Sequence, residues 1–211
     1  MTTDELLDLD PVVPVVAIDD VALAVPLARA LLAGGLRTIE VTLRTEAALP
    51  AIARIAEELP DVVVGAGTIA TAGQIGAARS AGARFLVSPG ATPRLLDALA
   101  DGGLPFLAGC ATPSDVLALL ERGVACAKLF PACAVGIELA RALAGPFPHV
   151  RLCPTGGIDQ ASAPDWLALP NVACVGGTWL ARGPLRDERD LARVTALARA
   201  ASELRATAAP P

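Results

Sequence analysis

The feature that most constrains this chain is a spacing. Short apolar runs, rich in valine, leucine and alanine, begin at residues 12, 37, 62, 84, 105, 125, 150 and 172, so successive starts lie 20 to 25 residues apart. Such an interval holds one strand, a turn, a short helix and a second turn, which is a βα unit. Punctuation falls between the runs rather than inside them: Gly34-Gly35, Pro60-Asp61, Ser88-Pro89-Gly90, Thr92-Pro93 and Thr112-Pro113. Eight such units predict an α/β fold, the (β/α)8 TIM barrel. It is expected as one domain over residues 1–211, with its core at about 12–205 and a short lead helix near 4–10. A doubly wound sheet is the alternative, but its first turn would ordinarily carry a glycine-rich phosphate fingerprint, and Asp19-Asp20 stand there instead.

The expected strands are 12–18, 38–43, 62–66, 84–87, 105–108, the run through Lys128, 150–154 and 172–175. Helices are expected at about 20–33, 46–59, 71–81, from Pro93, from Pro113 to near Gly123, 134–144, 160–168 and 187–204, with a frayed tail at 207–211. Pro14 fits a strand start or bulge better than a central ladder position. Aromatic residues make up only 3% of the 211, with no tyrosine, while apolar residues make up 54%. The core must therefore be built from Ala, Val, Leu and Ile, packed closely.

The net charge of -5 comes without any cluster of Lys or Arg, so nucleic acid and acidic membrane surfaces are not expected partners. No apolar run approaches a membrane span, and residues 1–9 are acidic rather than basic, which predicts a cytoplasmic protein. Cys110, Cys126, Cys133, Cys153 and Cys174 are odd in number, widely spaced and form no CxxC, the pattern of reduced thiols. The lone His149 supports neither a histidine metal site nor a Ser-His-Asp triad, and no metal or cofactor is expected.

In a barrel the reactive groups gather at the carboxyl ends of the strands. Lys128 lies in Val124-Ala125-Cys126-Ala127-Lys128-Leu129-Phe130-Pro131, an apolar run whose alternation carries Cys126, Lys128 and Phe130 to one side. A lysine at a frayed edge with its amine in water is the ordinary reading. A buried one tends toward a free amine able to attack a carbonyl. The second run puts Glu40, Thr42 and Arg44 on one face and Ile39, Val41 and Leu43 on the other. A wet face would explain this, yet neither face of a barrel strand is normally wet. Pro154-Thr155-Gly156-Gly157 and Gly176-Gly177-Thr178 follow runs seven and eight, where barrels commonly hold a phosphate against backbone amides; turn glycines are the plain alternative. Together these groups describe a Schiff-base enzyme acting on a phosphorylated carbonyl compound, with Glu40 moving protons.

Five segments in order, Glu40-Val41-Thr42-Leu43-Arg44-Thr45, Val64-Gly65-Ala66-Gly67-Thr68, Ser88-Pro89-Gly90, Lys128-Leu129-Phe130-Pro131 and Cys153-Pro154-Thr155-Gly156-Gly157-Ile158, resemble the 2-keto-3-deoxy-6-phosphogluconate (KDPG) and 4-hydroxy-2-oxoglutarate (KHG) aldolase family. The resemblance runs from about residue 10 to 180. It implies a class I aldolase, a homotrimer of the Entner-Doudoroff pathway, cleaving KDPG to pyruvate and glyceraldehyde 3-phosphate and often 4-hydroxy-2-oxoglutarate to pyruvate and glyoxylate. It implies Lys128 as the Schiff-base lysine, Glu40 as acid and base, Arg44 and Thr68 at the pyruvyl carboxylate, and Pro89 and Phe130 as pocket walls. Thr155 matches the threonine tied to gluconate-type hydroxyl stereochemistry, and Gly156, Gly157, Gly176, Gly177 and Thr178 match the phosphate loops. Two positions depart from the pattern: Cys133 stands where relatives commonly carry a small or acidic residue, and Ala17 where some carry arginine. A barrel isomerase or a phosphogalactonate-specific aldolase would share these loops, and assay with both sugar epimers separates them from the favoured reading. A silent sugar-phosphate-binding barrel would not trap pyruvate.

Overall fold

The computed structural model describes residues 1–183, 185 and 187–204; the expected frayed tail at 207–211 lies outside them. Eight parallel strands follow in chain order: β1 Val12–Val16, β2 Thr38–Thr42, β3 Val63–Gly67, β4 Phe85–Val87, β5 Phe106–Cys110, β6 Cys126–Leu129, β7 Arg151–Leu152 and β8 Val175–Gly177. Each pairs with its sequence neighbour, and β1 also pairs with β8. Bridges Leu152 to Val172 and Thr155 to Gly176 join β7 to β8, so the sheet closes into the barrel that the spacing predicts. The α/β barrel reading thus holds, and the doubly wound alternative does not.

The helices are α1 Thr3–Leu7, α2 Ala24–Ala33, α3 Ala48–Glu58, α4 Ala72–Ser80, α5 Pro93–Asp101, α6 Pro113–Leu120, α7 Ala132–Val135, α8 Ile137–Ala144, α9 Ala163–Leu167 and α10 Glu188–Ser202. Several start where side chains satisfy free amides. Thr92 Oγ1 accepts from Leu95 N, and Thr112 with Asp115 forms a reciprocal capping box, each ahead of a proline in the first turn. Asp20 caps a 3-10 turn at Val21–Leu23 that leads into α2.

The structure differs most from expectation at three places. The helix expected over 134–144 is broken in two, because Gly136 takes φ +79°, a left-handed conformation that ends α7 and starts α8 anew. Strand seven is cut short: Pro154 has no N–H, and its carbonyl accepts from Gly176 N instead. Strand eight sits later than 172–175, since its position is set by pairing with β1, Val175 to Gly177 against Val12 to Pro14. That pairing also explains Pro14. β1 pairs with β8 over Val12, Val13 and Pro14 and with β2 at Val15 and Val16, so the ring without an N–H stands where the strand changes partner.

Two cores follow from strand alternation. Outward residues such as Ile39, Val41, Val64, Ala66 and Leu86 pack under the helices. Inward residues Val13, Val63, Phe85, Val87, Leu107, Cys126, Cys153 and Cys174 fill the barrel. Gly65 has no side chain because the Phe85 ring occupies that space, a large residue set against a small one within the barrel packing. Below them α1 closes the amino-terminal end, with Leu6 and Leu7 buried in the inner core. Arg151 holds α1 in place through Asp4 at 3.0 Å and Asp8 at 2.6 Å. With that end stoppered, the remaining opening is at the carboxyl ends of the strands. Among the described residues, no helix is long and apolar enough to cross a membrane.

Candidate active site

Lys128 is the third residue of β6, paired with Gly109 on β5, and its side chain enters the upper barrel above Cys126. Glu40, the middle residue of β2, reaches the same space from the opposite wall. Lys128 Nζ donates to Glu40 Oε1 at 3.3 Å. The two residues are only 5% and 3% exposed, so each charge is compensated chiefly by the other. The ammonium also lies 5.4 Å from the centre of the Phe130 ring, a second favourable contact for a cation.

Glu40 has that position because of Gly67. At the end of β3, in register with Thr42, Gly67 leaves room for the carboxylate, and a Cβ there would lie 2.6 Å from Glu40 Cγ. In the sequence Gly67 stands out only as part of Val64-Gly65-Ala66-Gly67-Thr68, not as the seat of Glu40; that contact joins positions 27 residues apart and leaves no local pattern. Thr42 points the same way as Glu40, and its hydroxyl donates to Val16 O at 2.9 Å, tying β2 to β1.

Arg44 lies just past β2, exposed at the mouth, and its Nε donates to Thr68 Oγ1 at 3.1 Å. Thr68 adopts φ +61°, a left-handed conformation that is strained for a β-branched residue and found at sites where surrounding contacts hold it. The bond to Arg44 is one such contact, and it leaves the terminal guanidinium nitrogens able to face an anion. Pro89, after β4, is half-buried, with its carbonyl pressed against Gly109 where any side chain would collide.

On the other side of the mouth, Thr155 N donates to Leu129 O at 2.9 Å, and Ala132 N and Cys133 N donate to Thr155 O and Gly156 O. These bonds bind the loop after β6 to the loop after β7. Thr155 is buried, and its hydroxyl donates to Cys153 O at 3.2 Å. Gly156 and Gly157 take φ +99° and +78°, and the Phe130 ring packs on Gly156. Gly176 lies against the Thr155 side chain and Gly177 against the Trp179 ring, while Thr178 is exposed. The structure therefore brings all twelve sequence-selected residues to one end of the barrel, Lys128 and Glu40 within it and the glycine loops on its rim.

Other polar groups serve the frame. Buried Asp10 accepts from Arg37 N, Thr38 N and Thr38 Oγ1 at 2.9, 2.7 and 2.6 Å, fixing the start of β2. Burial pushes the Cys110 and Cys126 thiols up to about 12, which keeps them protonated. Chemically, the site joins a shielded amine, a carboxylate in contact with it, a guanidinium at the rim and two loops of close-approach glycines. Those are the parts that imine formation, proton transfer and anion binding require.

Comparison with known proteins agrees with this arrangement. Residues 3–197 match the family model described as KDPG and KHG aldolase. The 2-dehydro-3-deoxy-phosphogluconate aldolase of Pseudoalteromonas atlantica is 46% identical over 202 residues, covering 95% of this chain and 94% of that one. The 2-keto-3-deoxy-6-phosphogluconate aldolase of Zymomonas mobilis, solved with 3-phosphoglycerate, superposes with a TM-score of 0.92 at 42% identity over 99% of this chain and 98% of its own. KDPG aldolase from Legionella pneumophila, solved with pyruvate captured as a covalent carbinolamine, gives a TM-score of 0.92 at 40% identity over 96% of this chain and 98% of its own. Sequence likeness over nearly the full length and the shared barrel lead to one conclusion: this chain belongs to the KDPG and KHG aldolase family.

Proposed function

We propose that this protein is a class I aldolase that cleaves 2-keto-3-deoxy-6-phosphogluconate to pyruvate and glyceraldehyde 3-phosphate. The observation that carries the reading is the buried Lys128–Glu40 contact of 3.3 Å at the open end of the barrel. Transfer of an ammonium proton to Glu40 leaves Lys128 Nζ with a lone pair, which attacks C2 of the keto acid. Loss of water from the carbinolamine gives an iminium. The C3–C4 bond then breaks as the C4 hydroxyl gives up its proton, and the bonding electrons pass into the iminium to form an enamine. Protonation at C3 and hydrolysis release pyruvate and restore the amine. Glu40 carries these protons directly or through water. The iminium supplies the electron sink, so the route calls on no metal or other cofactor.

In this reading Arg44 and Thr68 receive the substrate carboxylate, Pro89 and Phe130 form walls, and Gly156, Gly157, Gly176, Gly177 and Thr178 receive the phosphate. Thr155 favours the gluconate-type hydroxyl over the galactonate epimer, an assignment that rests on family likeness. The same machinery accepts 4-hydroxy-2-oxoglutarate, which needs the amine and the carboxylate but no phosphate. One barrel domain holds the whole site, and the protein works in the cytoplasm as a homotrimer, the assembly that the resemblance implies.

Borohydride added with pyruvate tests the mechanism. A covalent adduct of the matching mass on Lys128, together with inactivation, is expected. An adduct on another lysine, or none, refutes it.

A further inference from the structure

Strand one brings no charge to the mouth: Ala17, just past its end and on the same side as inward Val13, offers only an exposed methyl. A cavity of about 210 Å³ nevertheless opens above it, lined by Ala17, Thr42, Arg44, Thr178 and Arg182 among others, with two guanidinium groups and no carboxylate among the described residues of its wall. The sheet order β2-β1-β8 puts Arg44 and Arg182 on opposite sides of Ala17. Arg182 reaches this place because the chain, after Gly177 and Thr178, makes a single 3-10 turn at Trp179–Ala181. The Trp179 ring packs on Gly177, and Arg182 N closes the turn on Trp179 O at 3.5 Å. Arg44 is held by Thr68. Arg182 makes no ion pair with any described residue, although this is an acidic protein with 22 carboxylate side chains.

We infer that Arg182 is a substrate-binding residue that selects for a distal dianion, meeting the substrate's phosphate at the Thr178 end of the mouth and taking the place of a cation that strand one does not supply. The inference rests on the aldolase reading and adds a residue to it. A substrate carboxylate held by Arg44 leaves Arg182 as the second guanidinium among the described residues of the same wall. Its five N–H donors suit phosphate oxygens, and Thr178, in the wall of the same cavity, offers a hydroxyl to the same group. A guanidinium at an open rim is screened by salt, so the selectivity should narrow as ionic strength rises.

The test compares kcat/KM on KDPG with kcat/KM on unphosphorylated 2-keto-3-deoxygluconate, for wild type, R182A and R182K. The ratio is expected to fall roughly ten- to hundredfold in R182A, as for loss of a hydrogen bond to a charged group, with the change mainly in KM and partly restored in R182K. A ratio within twofold of wild type in R182A overturns the inference. Titration of inorganic phosphate into wild type and R182A reads the same contact without turnover. Weaker binding by the variant is expected, and equal affinity overturns the inference even in a protein that cleaves neither substrate. Failure of the aldolase reading shows separately, as absence of the borohydride adduct in wild type.

Discussion

Replacing Gly67 by alanine should disable the site by moving Glu40 rather than by removing any reacting group. The new Cβ would lie 2.6 Å from Glu40 Cγ and 2.7 Å from Cδ, and closer still to Oε1. Carbon atoms rest at about 3.5 Å or more, so the carboxylate has to withdraw by about 1 Å. Oε1 is the atom that meets Lys128 Nζ, and withdrawal lengthens or redirects that contact. A displacement of about 1 Å at a reacting group costs on the order of a hundredfold in rate, or about 2.7 kcal/mol of barrier. The backbone at Gly67 is not left-handed, so alanine meets no conformational obstacle there. Overpacking should lower stability by about 1–3 kcal/mol and leave the barrel folded. Steady-state cleavage of KDPG coupled to pyruvate detection measures kcat, thermal unfolding confirms the fold, and borohydride trapping should persist because Lys128 is untouched. A folded G67A enzyme with kcat within threefold of wild type would refute the idea that Gly67 seats Glu40.

Glu40→Gln keeps the shape of the side chain and removes its basicity. It should slow cleavage by about 10²- to 10⁴-fold while some pyruvate trapping survives at a lower rate, since the amine stays in place without its proton acceptor; pyruvate methyl-proton exchange at the wild-type rate would remove Glu40 from proton transfer. At the other end of the barrel, the Arg151 guanidinium holds the Asp4 carboxyl below its ordinary value. A depressed carboxyl stabilises the fold above its unfolded pKa, and that contribution disappears as pH falls through the folded value. Asp4→Asn should therefore lower Tm at neutral pH, by the equivalent of about 1 kcal/mol or less since both partners are partly exposed, and the gap should close below about pH 3.8 and in high salt. A Tm difference of the same size at neutral and acid pH would show that the ion pair is not its source.

Much of this molecule was legible because its signals are local. A βα unit needs only its own strand, turns and caps, so the repeat revealed eight units, and Thr92-Pro93 and Thr112-Pro113 marked helix starts that the caps of α5 and α6 confirm. Alternation put Glu40 with Thr42 and Arg44, and Lys128 with Cys126 and Phe130, each on one face of its strand, and barrel closure then turned those faces inward. Local patterns failed where a distant partner decides. Gly136 breaks a helix whose composition reads as continuous. β8 takes its register from β1, more than 160 residues earlier in the chain.

The amino-acid sequence by itself determined the number of units, the alternating faces of the strands and the family, since each follows from spacing, alternation or motifs in order. Only tertiary structure decided the contacts across the barrel: the 3.3 Å approach of Glu40 to Lys128, the hollow over Gly67 that permits it, the α1 stopper held by Arg151, and the pairing of Arg44 with Arg182 around one cavity. Closure is the physical reason. A barrel brings residues from opposite strands within a few ångströms, and a distance between strands six and two is a property of the closed ring, carried by no segment alone.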